Sequence, residues 1–321
     1  MNCNNNDIAE DCTTFGRSSF AFEGKRPFAA RFMFGEYGQR RVNGHLNLVP
    51  SPPHPKCMNL ELEGKRALVT GSTAGIGYAI AEALAREGAQ VIVNGRTAKR
   101  VEQALQSIRA SHPQAKAEGL AADLGDAAGC REAVRQFPDV DILVNNLGIF
   151  EPKPFEEIPD EDWFRFFEVN VMSGVRLSRH YLPGMKKRNW GRIVFISSES
   201  AVQIPAEMIH YGMTKTAQLA ISRGLAETTA GTGVTVNAVL PGPTASEGVG
   251  EFIDRMATAS KKTKAELETE FFRNVRPSSL LQRFARPDEV AAMVAFLCSP
   301  LSSATNGAAI RADGGVVRSI L

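Results

Sequence analysis

The sequence predicts an α/β domain built on a doubly wound parallel sheet, and three observations support this fold class. From Arg66 onward, short apolar runs alternate with longer amphipathic stretches, the pattern of βαβ units. Hydrophobic residues make up 43% of the 321-residue chain, enough for a large core. The first apolar run leads into a glycine-rich turn, as is common at the start of such sheets. We therefore expect a single domain of about seven parallel strands flanked by helices.

Seven apolar runs are the predicted strands, and helical patterns occupy the crossovers between them. The strands are expected at residues 67–69, 91–93, a run ending near 121–122, 141–144, 193–196, 234–236 and 308–310. Helical spacing is found at residues 76–87, 101–109, 163–187 and 211–228. Right-handed crossovers on both faces of the sheet then complete the predicted architecture.

Composition excludes several classes of partner. The formal net charge of +2 is spread over both signs without a basic stripe, which argues against nucleic-acid binding. No apolar run reaches the roughly 18 residues that spanning a membrane requires. The five cysteines lack the spacing of a metal or redox pair, which suits a reducing compartment. We expect a cytoplasmic protein with no metal site, no nucleic-acid partner and no membrane partner.

The first part of the chain differs from the rest. Residues 1–59 combine an Asn-rich start with a Pro-rich run at 50–55 and show no helical or strand period, so we expect a disordered extension before a domain at 60–321. A targeting peptide is the alternative, although acids such as Asp7 and Glu10 count against it. Met58 as the native start is a further hypothesis.

The glycine-rich turn after the first strand predicts a phosphate site. Side chains in such a turn would keep a pyrophosphate away from the backbone, and the helix that follows offers free N–H groups and a positive dipole end. The alternative is a tight turn without a ligand. The candidate pyrophosphate contacts are Gly71, Ser72, Thr73, Gly75, Ile76 and Gly77.

The residues after the second strand bear on the choice of nicotinamide cofactor. An NAD site usually places a carboxylate near this point, but the chain has Asn94, Gly95 and Arg96 there. Arg96 could pair with a 2′-phosphate, which predicts NADP(H) over NAD(H), with NAD(H) left open. A solvated surface arginine is the alternative. Asp123, with Leu124 beside it, is expected to meet the adenine, or else to cap the next helix.

Further polar residues follow the later strands. Asn145, Asn146 and Gly148 close the fourth strand, Asn170 lies in a predicted helix, and Ser198 ends the fifth strand. Tyr211 and Lys215 are four residues apart, so they share one face of a helix. A cation beside a phenol favours its ionised form, which predicts an acid or base working nearer neutral pH.

In this order, the motifs resemble the short-chain dehydrogenase/reductase family, whose Rossmann-type fold would cover about residues 60–321. The resemblance implies that Tyr211 is the general acid and base, that Ser198 orients the substrate oxygen, and that Asn170 holds a proton-relaying water. Lys215 would bind the nicotinamide ribose and lower the pKa of Tyr211. Leu147 departs from the usual alanine of this family. Residues implied to hold the nicotinamide half are Asn145, Asn146, Gly148, Tyr211, Lys215, Pro241, Gly242 and Thr244.

The resemblance also suggests a substrate side and a reaction. Residues 243–287 would form a lid over a mostly apolar pocket, with helices 163–185 and 211–227 forming a homodimer or homotetramer. We expect hydride transfer between NADP(H) and a small carbonyl or secondary alcohol. The alternatives are a 3-oxoacyl thioester reductase of the acyl-carrier-protein type and a non-catalytic cofactor-sensing protein. A basic patch for an acyl carrier protein near the lid would favour the thioester alternative, and Lys261, Lys262 and Lys264 keep it open.

Three further residues near the site carry expectations of their own. His210 precedes Tyr211 and is interpreted as a loop or substrate-rim residue. Glu199 and Glu207 are interpreted as solvated loop carboxylates, either of which could repel an acidic substrate.

Overall fold

The structure, a computed structural model, describes residues 59–246, residue 250 and residues 262–320. Nearly all of the expected N-terminal extension, Met58 included, lies outside these residues, as does Lys261. Within the described residues no helix is both long enough and apolar enough to cross a membrane.

The sheet has seven parallel strands in the order β3-β2-β1-β4-β5-β6-β7. The chain starts at β1, extends outward to β3, then returns across β1 to build β4 through β7, which confirms the doubly wound fold. Leu68 of β1 pairs with Ile92 of β2 and with Leu143 of β4. The strands are β1 Arg66–Val69, β2 Gln90–Gly95, β3 Lys116–Ala121, β4 Ile142–Asn145, β5 Gly191–Ile196, β6 Val234–Pro241 and β7 Ala309–Ala312.

Eight α-helices among the described residues cover the two faces of the sheet. They are α1 Gly75–Arg86, α2 Ala98–Ser111, α3 Ala127–Gln136, α4 Asp160–Phe167, α5 Ser173–Lys187, α6 Ile209–Glu227, α7 Lys264–Asn274 and α8 Pro287–Cys298. Short 3-10 turns at Glu199–Ala201 and Ala206–Met208 connect β5 to α6.

Two hydrophobic cores lie on opposite faces of the sheet. Successive strand residues point to opposite faces, so Val69 and Val91 enter one core while Leu68 and Ile92 enter the other. Each fully buried aliphatic side chain stabilises the fold by about 1.5–3 kcal/mol before entropy losses. The cores fix the strands, and the carboxyl ends of the strands form the edge at which the site lies.

Two elements differ from the sequence-based expectation. The predicted helix at 163–187 is interrupted by a π-helical turn, Glu168–Met172, between α4 and α5. The sixth strand continues to Pro241 although Asn237 breaks its apolar run. Asn237 is tolerated there because its side chain donates to Thr305 O at 2.8 Å and accepts from Ala308 N at 3.0 Å.

Candidate active site

The turn between β1 and α1 has the backbone that its glycines predict. Gly71 and Gly75 have φ values of 60° and 58°, a left-handed conformation that favours glycine. At Gly77 a Cβ atom would lie 2.4 Å from both Asn146 Nδ2 and Gly71 O, so only glycine fits. Ser72 is buried and its hydroxyl donates to Val69 O at 2.7 Å, which supports the turn from inside.

Asn94 anchors this turn, although the sequence analysis gave it no such function. Its Oδ1 accepts from Gly71 N at 2.9 Å, and its Nδ2 donates to Leu120 O at 3.1 Å and Ala122 O at 3.0 Å. One amide therefore ties the turn to the end of β3. Thr73 packs nearby, because a Cβ on Gly95 would lie 2.4 Å from its methyl group.

The start of α1 fits the pyrophosphate of a dinucleotide. Ala74 at its N-cap makes no side-chain capping bond, and the first turn has no acidic residue. Free N–H groups and the helix dipole are therefore available to an anion. A cavity of about 770 Å³ extends from Ile76 and Asn146 to Lys215, so these residues form one wall of a single space.

The residues expected at the adenosine end lie next to the turn. Arg96 is exposed and forms no ion pair with any residue that the structure describes. Asp123 is exposed, and its Oδ1 accepts from Gly125 N at 2.9 Å. The alternative capping function for Asp123 is wrong, because Asp126 caps α3 by accepting from Gly129 N at 2.8 Å. The Leu124 side chain is buried in the second core.

The end of β4 is joined to the turn by side chains. Asn146 Nδ2 donates to Thr70 O at 2.9 Å and to Gly71 O at 3.0 Å. Asn145 is buried and donates to Ser178 Oγ at 3.2 Å, while its Oδ1 has no partner in the structure. Leu147, despite its larger side chain, keeps the turn intact because its backbone N–H donates to Thr70 Oγ1 at 2.9 Å.

The π turn between α4 and α5 places Asn170 at the site. Asn170 is buried, and its amide binds both backbone groups of Ile149, with Ile149 N donating to Oδ1 at 2.7 Å and Nδ2 donating to Ile149 O at 3.0 Å. Its Nδ2 also donates to Thr214 Oγ1 at 3.0 Å. A π turn leaves a carbonyl free of the regular ladder, and here Asn170 O accepts from Gln218 Nε2 at 2.6 Å.

Lys215 is buried and lines the cavity. Its Nζ donates to Ile196 O at 2.9 Å and to Gln218 Oε1 at 3.3 Å. Burial lowers the pKa of Lys215 to about 8. Gln218 therefore connects Lys215 to Asn170, a link that the sequence analysis missed. The only available signal was that Gln218 lies three residues after Lys215, on the same helix face.

Ser198 and Tyr211 line the same cavity as Lys215. The expectation that Lys215 lowers the pKa of Tyr211 is wrong in this structure, where the pKa of Tyr211 is raised by burial and then by the Glu199 carboxylate. A hydrogen bond with Ser198 and the charge of Arg276 act in the opposite direction. The Lys215 ammonium lies 5.6 Å from the centroid of the Tyr211 ring and is turned toward Ile196 O.

Pro241, Gly242 and Thr244 line the cavity from the end of β6. A Cβ on Gly242 would lie 2.4 Å from Asp313 O, so the backbone of the Asp313 turn passes directly against it. The Thr244 hydroxyl donates to Gly242 O at 2.9 Å, and its backbone forms a parallel bridge with Ala285.

The substrate side of the cavity is mostly apolar. Phe150 lies with its ring centroid 6.3 Å from that of Tyr211, in an edge-on arrangement. Helix α7 and the residues after it contribute Leu267, Phe271, Val275 and Phe284 to the lining, and Ile149, Pro152 and Met208 also line this side.

Two of the expectations for polar residues near the site are wrong. His210 is fully buried in the first turn of α6, its ring centroid 4.0 Å from that of Phe166, and neither ring nitrogen has a partner in the structure. It therefore packs against α4 and does not lie at a rim. Glu199 is 5% exposed because Arg276 pairs with it. Glu207 is partly exposed, as expected, but also pairs with Arg276.

Comparisons with known proteins extend over the whole described domain. A family model for short chain dehydrogenase matches residues 65–257. The uncharacterized oxidoreductase YvaG of Bacillus subtilis (strain 168) is 54% identical over 263 residues, covering 82% of this chain and 100% of that protein. The 3-oxoacyl-(acyl-carrier-protein) reductase FabG of Aquifex aeolicus (strain VF5) is 35% identical over 263 residues, covering 81% and 100%.

A solved structure shows similarity over the same extent. L-sorbose reductase from Gluconobacter frateurii, complexed with NADPH and L-sorbose, superimposes with a TM-score of 0.77 at 30% identity. The match covers 82% of this chain and 100% of that chain.

Proposed function

The chain belongs to the short-chain dehydrogenase family, and we propose that it transfers a hydride between NADP(H) and a small carbonyl or secondary alcohol, with Tyr211 as general acid and base. Membership makes it a dehydrogenase/reductase. One observation carries the proposal: Ser198, Tyr211 and Lys215 line the same cavity that reaches the glycine turn. A dinucleotide held at that turn and a substrate beside Tyr211 would therefore share one space.

Tyr211 is suited to donate a proton at neutral pH. A bound NADPH supplies a hydride for the carbonyl carbon. Burial raises the pKa of Tyr211, so its phenol stays protonated and can give its proton to the substrate oxygen. Oxidation of the alcohol needs the ionised phenol instead, so we expect it to be faster at alkaline pH.

Lys215 and its neighbours hold the cofactor end of the reaction. With a pKa lowered to about 8, the Lys215 ammonium is still mostly charged at neutral pH and can donate to ribose hydroxyls. Asn170 and Gln218 fix its position through the π turn. Proton relay through a water held by Asn170 remains part of the proposal.

Arg96 supports a preference for NADP(H). Its guanidinium is exposed and has no ion-pair partner among the described residues, so it is available to a 2′-phosphate. The structurally similar sorbose reductase was solved with NADPH. NAD(H) remains the second cofactor to be tested.

The apolar lining favours a substrate with a partly apolar body. The similarity to FabG supports a 3-oxoacyl thioester as the second candidate. Of the lysines expected to form a basic patch, Lys262 pairs with Glu270 at 2.5 Å, so its charge is already partly neutralised.

A panel assay tests the proposal. The full chain would be assayed with neutral ketones, secondary alcohols and a 3-oxoacyl thioester, each with NADP(H) and with NAD(H). We expect turnover of a neutral carbonyl with a higher kcat/KM for NADPH, and a loss of about 10³-fold in Tyr211→Phe with NADPH binding retained. Binding of NADPH without turnover of any member would favour the cofactor-sensing alternative, and near-native turnover by Tyr211→Phe would exclude the mechanism.

The exposed face of α4 supports a homo-oligomer. Phe164 is 74% exposed and Phe167 is 40% exposed. Exposed apolar side chains grouped on one helix are typical of a surface that another protein chain covers. We expect a homodimer or homotetramer that uses α4, α5 and α6, as measured by light scattering coupled to size-exclusion chromatography. Phe164→Glu should shift the molar mass toward the monomer, and an unchanged mass would place the interface elsewhere.

A further inference from the structure

A buried carboxylate lies directly beside the proposed catalytic serine. Glu199 follows Ser198 in the chain, is 5% exposed and accepts a hydrogen bond from Ser198 Oγ at 2.5 Å. Burying a carboxylate is costly unless it is paired with a cation and hydrogen-bonded. The structure therefore must supply a cation for Glu199.

That cation comes from the segment that follows α7. Arg276 Nε lies 3.1 Å from Glu199 Oε1, and Arg276 Nη1 lies 3.2 Å from Glu207 Oε1. The Arg276 backbone is fixed as well, because its N–H donates to Phe271 O at 3.0 Å. The guanidinium thus joins the end of α7 to both sides of the loop between β5 and α6.

Glu199 determines how Ser198 faces the cavity. Ser198 Oγ accepts a hydrogen bond from Ser200 N at 3.1 Å and donates its only hydroxyl hydrogen to Glu199. Glu199 therefore fixes the direction of the Ser198 O–H at the edge of the cavity.

Charges from three parts of the fold face the Tyr211 phenol. Glu199, on the 3-10 turn after β5, raises the pKa of Tyr211, and Arg276, after α7, lowers it. Lys215, on α6 itself, has its ammonium 5.6 Å from the ring centroid. Glu207 reaches this group only through Arg276.

We propose that Glu199 and Arg276 are a positioning pair through which the segment after α7 fixes the direction of the Ser198 hydroxyl and sets the charge that faces Tyr211. The inference rests on the proposed function, because it takes Tyr211 to be the group that exchanges a proton with the substrate. The two residues of this pair, Glu199 and Arg276, lie outside the motif formed by Ser198, Tyr211 and Lys215.

Opposite pH shifts distinguish this pair from a merely structural contact. Glu199→Gln removes the anion that faces Tyr211, so the ascending limb of the pH profile of kcat/KM for alcohol oxidation, which reports ionisation of Tyr211, should move down by about one pH unit. Arg276→Met leaves Glu199 ionised without its cation at alkaline pH, so the same limb should move up. Arg276→Lys should return it toward the wild-type position.

Glu207→Gln is the matched control. It also removes a carboxylate from Arg276, but Glu207 is partly exposed and does not touch Ser198, so its shift should be clearly smaller than that of Glu199→Gln. Shifts of Glu199→Gln and Arg276→Met in the same direction, no shift in either, or an equal shift in Glu207→Gln would overturn the proposal. Where Arg276→Met fails to fold, Glu199→Gln and Arg276→Lys decide the question.

A spectroscopic readout separates this inference from the proposed function. The chain has four tyrosines, so the tyrosinate absorbance of Tyr211 is obtained by subtracting the Tyr211→Phe spectrum at a fixed alkaline pH at which both proteins remain folded. We expect a larger ionised fraction of Tyr211 in Glu199→Gln and a smaller one in Arg276→Met. If the ionised fraction of Tyr211 changes in these opposite directions but no substrate is turned over, the proposed function is refuted and the positioning pair is not. Turnover with spectroscopic shifts in the same direction would refute the positioning pair alone.

Discussion

The two sides of the cavity are built in different ways. On the cofactor side, the glycine turn is held by Asn94 and Asn146, which lie at the ends of β2 and β4, strands that both pair with β1. On the substrate side, Arg276 reaches Glu199 from 77 positions away in the chain. Motifs at the ends of neighbouring strands therefore predict the first side, whereas no motif marks the contact that builds the second.

The largest expected effect tests how rigid the cofactor side is. Gly77→Ala would place a Cβ 2.4 Å from Asn146 Nδ2 and Gly71 O, so the turn must shift. We expect NADPH to bind about 30-fold more weakly, which corresponds to about 2 kcal/mol of strain, as measured by calorimetry. Gly224→Ala is the control, since a Cβ on Gly224 meets no atom within 4 Å and an alanine should favour α6. Binding by Gly77→Ala within a few-fold of wild type would contradict a rigid turn.

A second test asks whether Arg96 sets cofactor choice on that same side. Arg96→Ala removes one charge-assisted contact with a 2′-phosphate, so kcat/KM with NADPH should fall by about tenfold while kcat/KM with NADH is unchanged. Lys99→Ala controls for the loss of a nearby positive charge and should have a smaller effect. An equal loss with both cofactors would mean that Arg96 supports the loop without recognising the phosphate.

The third test concerns Gln218, which lies where the two sides meet. Gln218→Glu puts a carboxylate within reach of Lys215, so the pKa of Lys215 should rise from about 8 by about one unit. Since Lys215 is charged below its pKa, NADPH binding should persist to higher pH than in wild type. Gln218→Met is the control, because methionine cannot accept the hydrogen bond from Lys215. If the pH dependence of NADPH binding shifts by the same amount in both variants, Gln218 does not act through Lys215.

The smallest expected effect concerns packing behind the substrate side. Burial lowers the pKa of His210, so the unfolded chain takes up its proton more readily and the free energy of unfolding falls as the pH drops through about 6.5. His210→Leu should flatten this dependence by about 1 kcal/mol in denaturant titrations from about pH 7 to about pH 5. His180→Gln removes an exposed imidazole as a control. An unchanged slope in His210→Leu would assign the pH dependence to other groups.

The fold was largely predictable from apolar periodicity, and much of the cofactor side from motifs at the ends of the strands. The apolar alternation predicted all seven strands, and the family resemblance grouped Ser198, Tyr211 and Lys215, which line one cavity in the structure. Arg276 could not be identified, because the sequence around an arginine in a charged segment does not indicate which distant carboxylate it pairs with. Glu199 was misread as solvated for the same reason.

The single amide of Asn94 has a consequence for how the protein assembles. By bonding Gly71 N, Leu120 O and Ala122 O, it completes the nucleotide turn only when the first three strands are side by side. Long-range strand pairing is a slow part of folding, because loops must close before the contacts form. The full set of Asn94 hydrogen bonds that hold the glycine turn therefore requires the chain as far as Ala122, so a nascent chain that lacks β3 cannot yet form it.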